Sequence, residues 1–466
     1  MRFPTLTARR TIHRFAAAAV LAGVLGTAVA QDGDGRGLDE FVRVVENNAQ
    51  GGERVSLQVA SVEYRRRDAD GEFVGPRVWL VGAVHIGTAA YYREIQRELD
   101  TADLVLYEGV GRPEFIAMPQ QTDAQRRERT EAAFATLQSL APAVLAAAGP
   151  LPESSEVFIA RAAEVQSIVA NQARHALIDA WGRPVRYRTT DEGTIRLTSL
   201  GADGELGGEG AAADIVLEIE AAGGAQSQAN GLRDLQGLMA STLGLVFQLD
   251  HIDYNRQSFL ASDMSEAQLE EAMRARGLGG QEITGLVGLD SQMVGALRML
   301  AGLIRMVPDG QLIGRLVLVD TLGSGDAAMA QLDERLAKVI IDDRNGVVID
   351  DLRRVLGALR EVADDPTVSV FYGVGHFPDF ETRFDQDLGL EPTGEVRWHT
   401  AISADISQAS NPGAVRTMRQ QFRASMDQAM QAGGGAAGPG SAREAMRERM
   451  LREARRRIER RNRQQN

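Results

Sequence analysis

The sequence predicts an α/β fold: a mainly parallel sheet flanked by helices and interrupted by a long, largely helical insertion. Three observations carry that expectation. A strand, a helix and a strand follow one another between residues 78 and 110, a second unit of the same style stands near residue 370, and the middle between them is rich in Ala, Gly and Leu. A parallel pair joined through a helix is the smallest unit that builds such a sheet.

Taken in order, "RVSLQVASVEYRRR" alternates, is followed by "DADGE", and leads into "RVWLVGAVH", which reads as a hairpin feeding an interior strand. Residues 88–100 place Tyr91, Ile95 and Leu99 at helical spacing behind Thr88, a candidate N-cap. "ADLVLYEGV" is an apolar run of strand length ending at Glu108, so this strand and the one before the helix should be parallel and close in the sheet. Downstream, Val348, Leu352, Val355, Leu356 and Leu359 share one helical face, "PTVSVFYGVGHF" is a strand, and "EVRWHTAIS" is a closing strand. The insertion, roughly 115–335, holds helical stretches near 123–181 and from about 230 to 305, with a possible strand pair at "PVRYRTT" and "TIRLTSL".

The N-terminal thirty residues follow different rules. Arg2, Arg9, Arg10 and Arg14 precede an apolar run ending in Ala28-Val29-Ala30, the pattern of a signal peptide (1–30) with cleavage before Gln31, and hence of a periplasmic or extracellular protein. With no cysteine, an exported chain must rely on its core, and thiol chemistry is excluded. The mature α/β domain then runs over 31–431, followed by a Gly-rich linker at 432–441 and an Arg/Glu-rich helix at 442–466. That tail carries a net +6 and the signal +4; taking both from the whole-chain −13 leaves about −23 on the body. So acidic a body argues against nucleic acid as partner, while the basic tail offers a contact for an anionic surface.

Two copies of Gly-x-x-His, Gly82 to His85 and Gly373 to His376, each close an apolar strand, and Glu108 closes a third. In a parallel sheet such ends face one crevice, where α/β proteins bind ligands. Each glycine lets the backbone turn tightly or approach a ligand. His85, Glu108 and His376 also form a ligand set for zinc, manganese or cobalt with a position left for water. Of the other histidines, His175 falls on a predicted helix, His399 on the closing strand, and His251, beside Asp250 and Asp253, is the rival that an overlying insertion could bring to the cleft. Asp379 and Glu381 stand near the second motif as candidate general bases.

"LVGAVHIGTAAYYREI", "ADLVLYEGV" with Arg112 shortly after, "DDRN" at 342–345 and "FYGVGHF" resemble, in that order, the motifs of the TraB/PrgY/GumN group, to which the TIKI metalloproteases are related. The likeness covers roughly residues 75–115 and 340–405; the segment "GLVFQLDHIDYNRQSFLASDMSEAQL" has no motif that can be assigned. It implies a fold related to the erythromycin-esterase and ChaN-like proteins, with His85 and His376 as metal or catalytic histidines and Glu108 as their acidic partner. Arg344 and Asn345 look like the group's arginine element, which binds a substrate carboxylate or holds the site together; Gly82, Arg112, Asn345 and Gly373 are the expected substrate contacts. The function expected from residues and resemblance together is an exported, metal-dependent hydrolase of peptide or amide bonds, a metalloprotease. Two alternatives stay open: a metal-free hydrolase with a histidine base, and a non-catalytic module that holds a peptide, a polysaccharide fragment or haem.

Overall fold

The computed structural model describes residues 37–48, 52–109, 121–146, 150–190, 194–220, 240–264, 266–278, 304, 306–324, 334–359 and 365–433. The expected signal peptide, Arg112, most of the Gly-rich linker and the basic tail lie outside them. The chain divides into two compact units, residues 1–408 and 409–466; the second contributes one helix to the described residues, Pro412–Gly433.

The first unit is built on strands β1 (Val42–Asn47), β2 (Arg54–Arg67), β3 (Phe73–Ala83), the two-residue β4 (Ile86–Gly87) and β5 (Leu104–Tyr107). β2 and β3 form the expected hairpin, antiparallel through Ser61↔Val81 and Tyr64↔Val78. Helix α1 (Ala89–Leu99) starts where Thr88 accepts a hydrogen bond from the Tyr91 N–H, which satisfies one of the donors left bare in a helix's first turn. It buries Tyr91, Tyr92, Ile95 and Leu99 on one face. The Tyr91 hydroxyl donates to the Gly82 carbonyl at 2.7 Å and the Tyr92 hydroxyl to the Val84 carbonyl at 2.7 Å, so the helix grips the chain just before His85.

Among its described residues the insertion is less helical than its composition predicts; of the helical stretch expected from about 230 to 305, residues 230–239 and 279–303 lie outside them. Helices α2 (Asp123–Ala146), α3 (Ser155–Val165) and α4 (Ser167–Ala176) precede an antiparallel sheet of β6 (Arg186–Thr189), β7 (Thr194–Ser199) and β8 (Ile215–Glu220). These elements share a core of their own, in which Phe134, Leu137 and Phe158 pack with Ile195, Leu197 and Ile219. β6 and β7 are the expected pair; the third strand, "IVLEIE", supplies the apolar alternation that closes the layer over the helices. Further on, β9 (Val246–Phe247) pairs with β4, and β10 (Phe259–Ala261) joins the main sheet, so insertion and core are continuous. Helices α5 (Glu266–Ala275), α6 (Gly310–Gly323) and α7 (Glu334–Lys338) follow; one turn of π-helix, Val339–Asp343, leads directly into α8 (Arg344–Leu359).

β11 (Thr367–Gly373), helix α9 (Phe377–Leu388) and β12 (Glu391–Asp405) complete the sheet. Its order is β1-β2-β3-β11-β5-β10, with β12 also paired to β2. β3, β11, β5 and β10 are parallel, while β1, β2 and β12 pair antiparallel, which makes the sheet mixed. The first βαβ unit therefore does have parallel strands, but β11 lies between them, through Val370↔Leu80 on one side and Val370↔Leu106 on the other. Its "VSVFYG" is buried throughout, as a strand covered on both faces requires.

Candidate functional site

The strand order decides which side chains meet. His85 follows β3, His376 follows β11, Glu108 follows β5 and Asp263 follows β10, so four adjacent parallel strands deliver them to one edge. Arg344 and Asn345 open α8 at the same edge. His85, Glu108, His376, Arg344 and Asn345 are thus neighbours in the fold, and Asp263, which the sequence reading did not single out, joins them.

Arg344 is the centre of the cluster. Its Nη2 donates to Glu108 Oε1 at 2.8 Å and to Asp263 Oδ2 at 2.6 Å, and its Nε donates to Asp263 Oδ1 at 2.9 Å. Such a buried guanidinium costs several kcal/mol to desolvate and persists because two carboxylates compensate it. Glu108 is fixed at both oxygens, since the Gly373 N–H donates to Oε2 at 2.8 Å. Burial opposes ionisation of Glu108, but the Arg344 charge, then His376, His85 and the Gly373 N–H, bring its pKa down to about 2.

His376 is 1% exposed, and its Nδ1 lies 2.6 Å from Asn345 Oδ1. Asn345 Nδ2 donates to the His376 carbonyl at 3.2 Å and to Asp379 Oδ2 at 2.8 Å, which fixes the amide with its oxygen toward the ring. His376 therefore carries its proton on Nδ1 and turns a bare Nε2 toward Glu108 Oε1, 3.8 Å away. Burial, the main cause, together with Arg344 and His85 outweighs the opposing attraction of Glu108 and lowers its pKa to about 3. At neutral pH it is an acceptor.

His85, partly exposed, repeats the arrangement with a different amide: its Nδ1 is 3.0 Å from Gln248 Oε1, and Gln248 Nε2 donates to the Tyr254 hydroxyl at 2.7 Å. The Gln248 N–H also donates to the His85 carbonyl at 2.8 Å, extending the β4–β9 pairing. Gln248, Tyr254 and Asp263 all come from the stretch to which no motif could be assigned. The one local signal there is Asp263 just past the apolar run "FLA", a carboxylate at a strand end as Glu108 is, though two residues past its strand where Glu108 is one.

Gly82 has a packing reason: a Cβ there would stand 2.7 Å from the Ala60 carbonyl oxygen. Asp379 is committed to Asn345 and to Arg383, at 2.7 Å, and Glu381 meets the Tyr64 hydroxyl at 3.4 Å. His251 is exposed, its ring 6.2 Å from that of Tyr92, and His175 Nε2 lies 3.2 Å from the Phe259 carbonyl. Beyond the Arg344 turn opens a cleft of about 710 Å³, lined by Met264, Gln268, Glu271, Asp342, Asp343 and neighbours.

His85, His376 and Glu108 are the residues that would hold a divalent ion, and they do not fit one as arranged. Both Glu108 oxygens already accept from donors, and one of those donors is a permanent cation at 2.8 Å, which opposes a second cation beside it.

Among known proteins, one family matches, Type II secretion system (T2SS), protein G, over residues 120–218. That span coincides with the separately cored unit from α2 to β8 and is a minority of the chain. No curated protein and no solved structure matches. The likeness to the TraB/PrgY/GumN group and its metalloproteases, expected from the short motifs, is thereby corrected: the family found is a secretion-system component, on a part of the chain that the motifs do not touch. A family of that kind suggests a membrane-associated or periplasmic protein, which agrees at that coarse level with the export expected from the N-terminal sequence; among the described residues no helix is long and apolar enough to cross a membrane.

Proposed function

We propose that the strand-end cluster of His85, Glu108 and His376 is a metal-independent hydrolytic site of an exported protein, acting on an ester or amide. The observation that supports it is the pairing of two imidazoles, each with Nδ1 held against a side-chain amide oxygen, around an ionised Glu108. His85 is the more exposed of the two and serves as the general base on a water. The Glu108–Arg344–Asp263 ion network keeps the strand ends in register around it. Chromogenic ester and amide panels test the reading: turnover that survives chelation and falls at least about a hundredfold in His85→Ala is expected for loss of a general base. Turnover equal in that variant, or dependent on added metal, contradicts it.

A second reading is a binding component of a secretion assembly, favoured by the coincidence of the T2SS protein G match with a unit that has its own core. Crosslinking in intact envelopes to other secretion components tests it, and this reading predicts no turnover in the panels above.

A further inference from the structure

We propose that His376 Nε2 and Glu108 Oε1 form a pair of acceptors that takes a neutral N–H, so that the amide, and not the ester, is the substrate class of the strand-end cluster. The choice of substrate rests on the hydrolytic reading; the acceptor pair is a binding property and is measured without turnover.

The pair begins with Asn345, whose amide has one orientation that its neighbours accept. Its Nδ2 meets the His376 carbonyl at 3.2 Å and Asp379 Oδ2 at 2.8 Å. A carbonyl only accepts, and Asp379 Oδ2 accepts from Arg383 Nε at 2.7 Å as well. Turned by half a turn, the amide would set its oxygen against both of these oxygens. Oδ1 therefore faces the ring, and His376 Nδ1, 2.6 Å away, carries the proton. Tyr372 stands edge-on to that ring at 5.2 Å and Phe380 stacks on it at 6.1 Å, which holds it in its plane.

Nε2 is then a bare acceptor on a side chain that is almost wholly buried, and no donor among the described residues reaches it. It faces Glu108 Oε1 at 3.8 Å, which is an acceptor too. Oε1 gives one lone pair to Arg344 Nη2 and keeps another, while Oε2 takes the Gly373 N–H. A buried acceptor without a donor is costly, so the pair favours a group that brings a hydrogen to it. That group must be neutral: burial, which chiefly brings the His376 pKa down to about 3, and the Arg344 charge both oppose a cation there. Of the two bonds the hydrolytic reading allows, only the amide brings an N–H beside its carbonyl. The ester sets an oxygen in that place against two acceptors, and sites built to bond a donor reject analogues that lack it.

Histidine ¹⁵N NMR of the full chain at pH 8 reads the pair directly, with the His376 signals assigned by their loss in His376→Gln. The protein alone is expected to show His376 with Nδ1 protonated and Nε2 bare. Titration with acetamide is expected to move the Nε2 signal saturably, whereas N,N-dimethylacetamide, which keeps the carbonyl and lacks the N–H, leaves it in place. Glu108→Gln gives the pair a donor of its own and is expected to abolish the acetamide response; if that variant does not fold, the two amides on the wild type decide alone. A proton on Nε2, or equal responses to the two amides, including none to either, overturns the proposal. An acetamide response without turnover in the ester and amide panels leaves the acceptor pair standing while the hydrolytic reading fails, and turnover without that response does the reverse.

Discussion

His376 and His399 are buried to nearly the same degree, 1% and 4% exposed, yet their surroundings move their pKa values in opposite directions. His376 has an amide oxygen on Nδ1 and is neutral, its pKa lowered to about 3. His399 lies between carboxylates, with Nδ1 2.9 Å from Glu94 Oε1 and Nε2 2.9 Å from Glu98 Oε2. Burial acts to lower His399 too, but the hydrogen bond and charge of Glu98, then those of Glu94, prevail and raise its pKa. The Ser61 hydroxyl also sits 3.0 Å from His399 Nε2, so a serine, a histidine and a glutamate line up. Ser61 is fully buried and both flanking carboxylates favour the protonated ring, so the alignment serves as a clasp between α1 and β12. Burial alone does not decide what a histidine does; the chemistry of its fixed partner does.

The comparison breaks most forcibly at Arg344. Arg344→Met leaves Glu108 and Asp263 buried without their cation, and removing one partner of a buried pair costs about 3–5 kcal/mol. Urea unfolding of the variant is expected to show that loss, whereas Arg353→Met, whose partner Asp350 is exposed, is expected to change stability by less than about 1 kcal/mol.

The next largest effect separates the two histidines by pH. As pH falls below the ordinary value of 6.5, the unfolded chain takes up a proton at His376 that the folded chain refuses, so stability is full above about 6.5 and is lost progressively toward about 3. Glu108 adds a further loss between its ordinary value of 4.5 and about 2. His399 has the reverse sign: its raised pKa contributes stability that is complete below the ordinary value and disappears as pH rises through the folded value. Melting curves of His376→Gln and His399→Gln against wild type should therefore diverge in opposite directions, the former gaining relative stability in acid and the latter losing it.

A smaller change sharpens the same contrast. Glu98→Gln replaces the main carboxylate partner of His399 with an amide of the kind that holds His376, and the His399 pKa should fall while His376 is unmoved, as read from their ring-proton titrations. The smallest expected effect is none: because Arg344 occupies the place a divalent ion would compete for, extensive chelation should leave the melting temperature and any turnover unchanged.

Much of the fold was legible because strands β3, β5 and β11 are short apolar runs with punctuated ends, and Thr88 caps its helix by local chemistry. The insertion of β11 between β3 and β5 was not legible, since parallel pairing is a long-range choice that leaves no local mark. His85, Glu108, His376 and Arg344 were nominated from their strand-end or motif positions, and the structure brings them together. Gln248 and Asp263 escaped because an amide and a carboxylate in a motif-free segment acquire meaning only from partners far away in sequence, Tyr254 and Arg344 respectively. In the middle, β6 and β7 were legible as a strand pair but β8 was not, because its alternating apolar face gains its meaning only by closing a core with α2 to α4, a tertiary gain that composition does not encode.

The claim that partner chemistry, rather than burial, sets the charge of these histidines is tested most directly by one NMR titration of all histidine side chains between pH 3 and 9. The account predicts that His376 stays neutral down to the lowest pH at which the chain remains folded, while His399 remains protonated past 6.5. His376 titrating near 6.5 in the folded protein, or His399 losing its proton below that value, would contradict it.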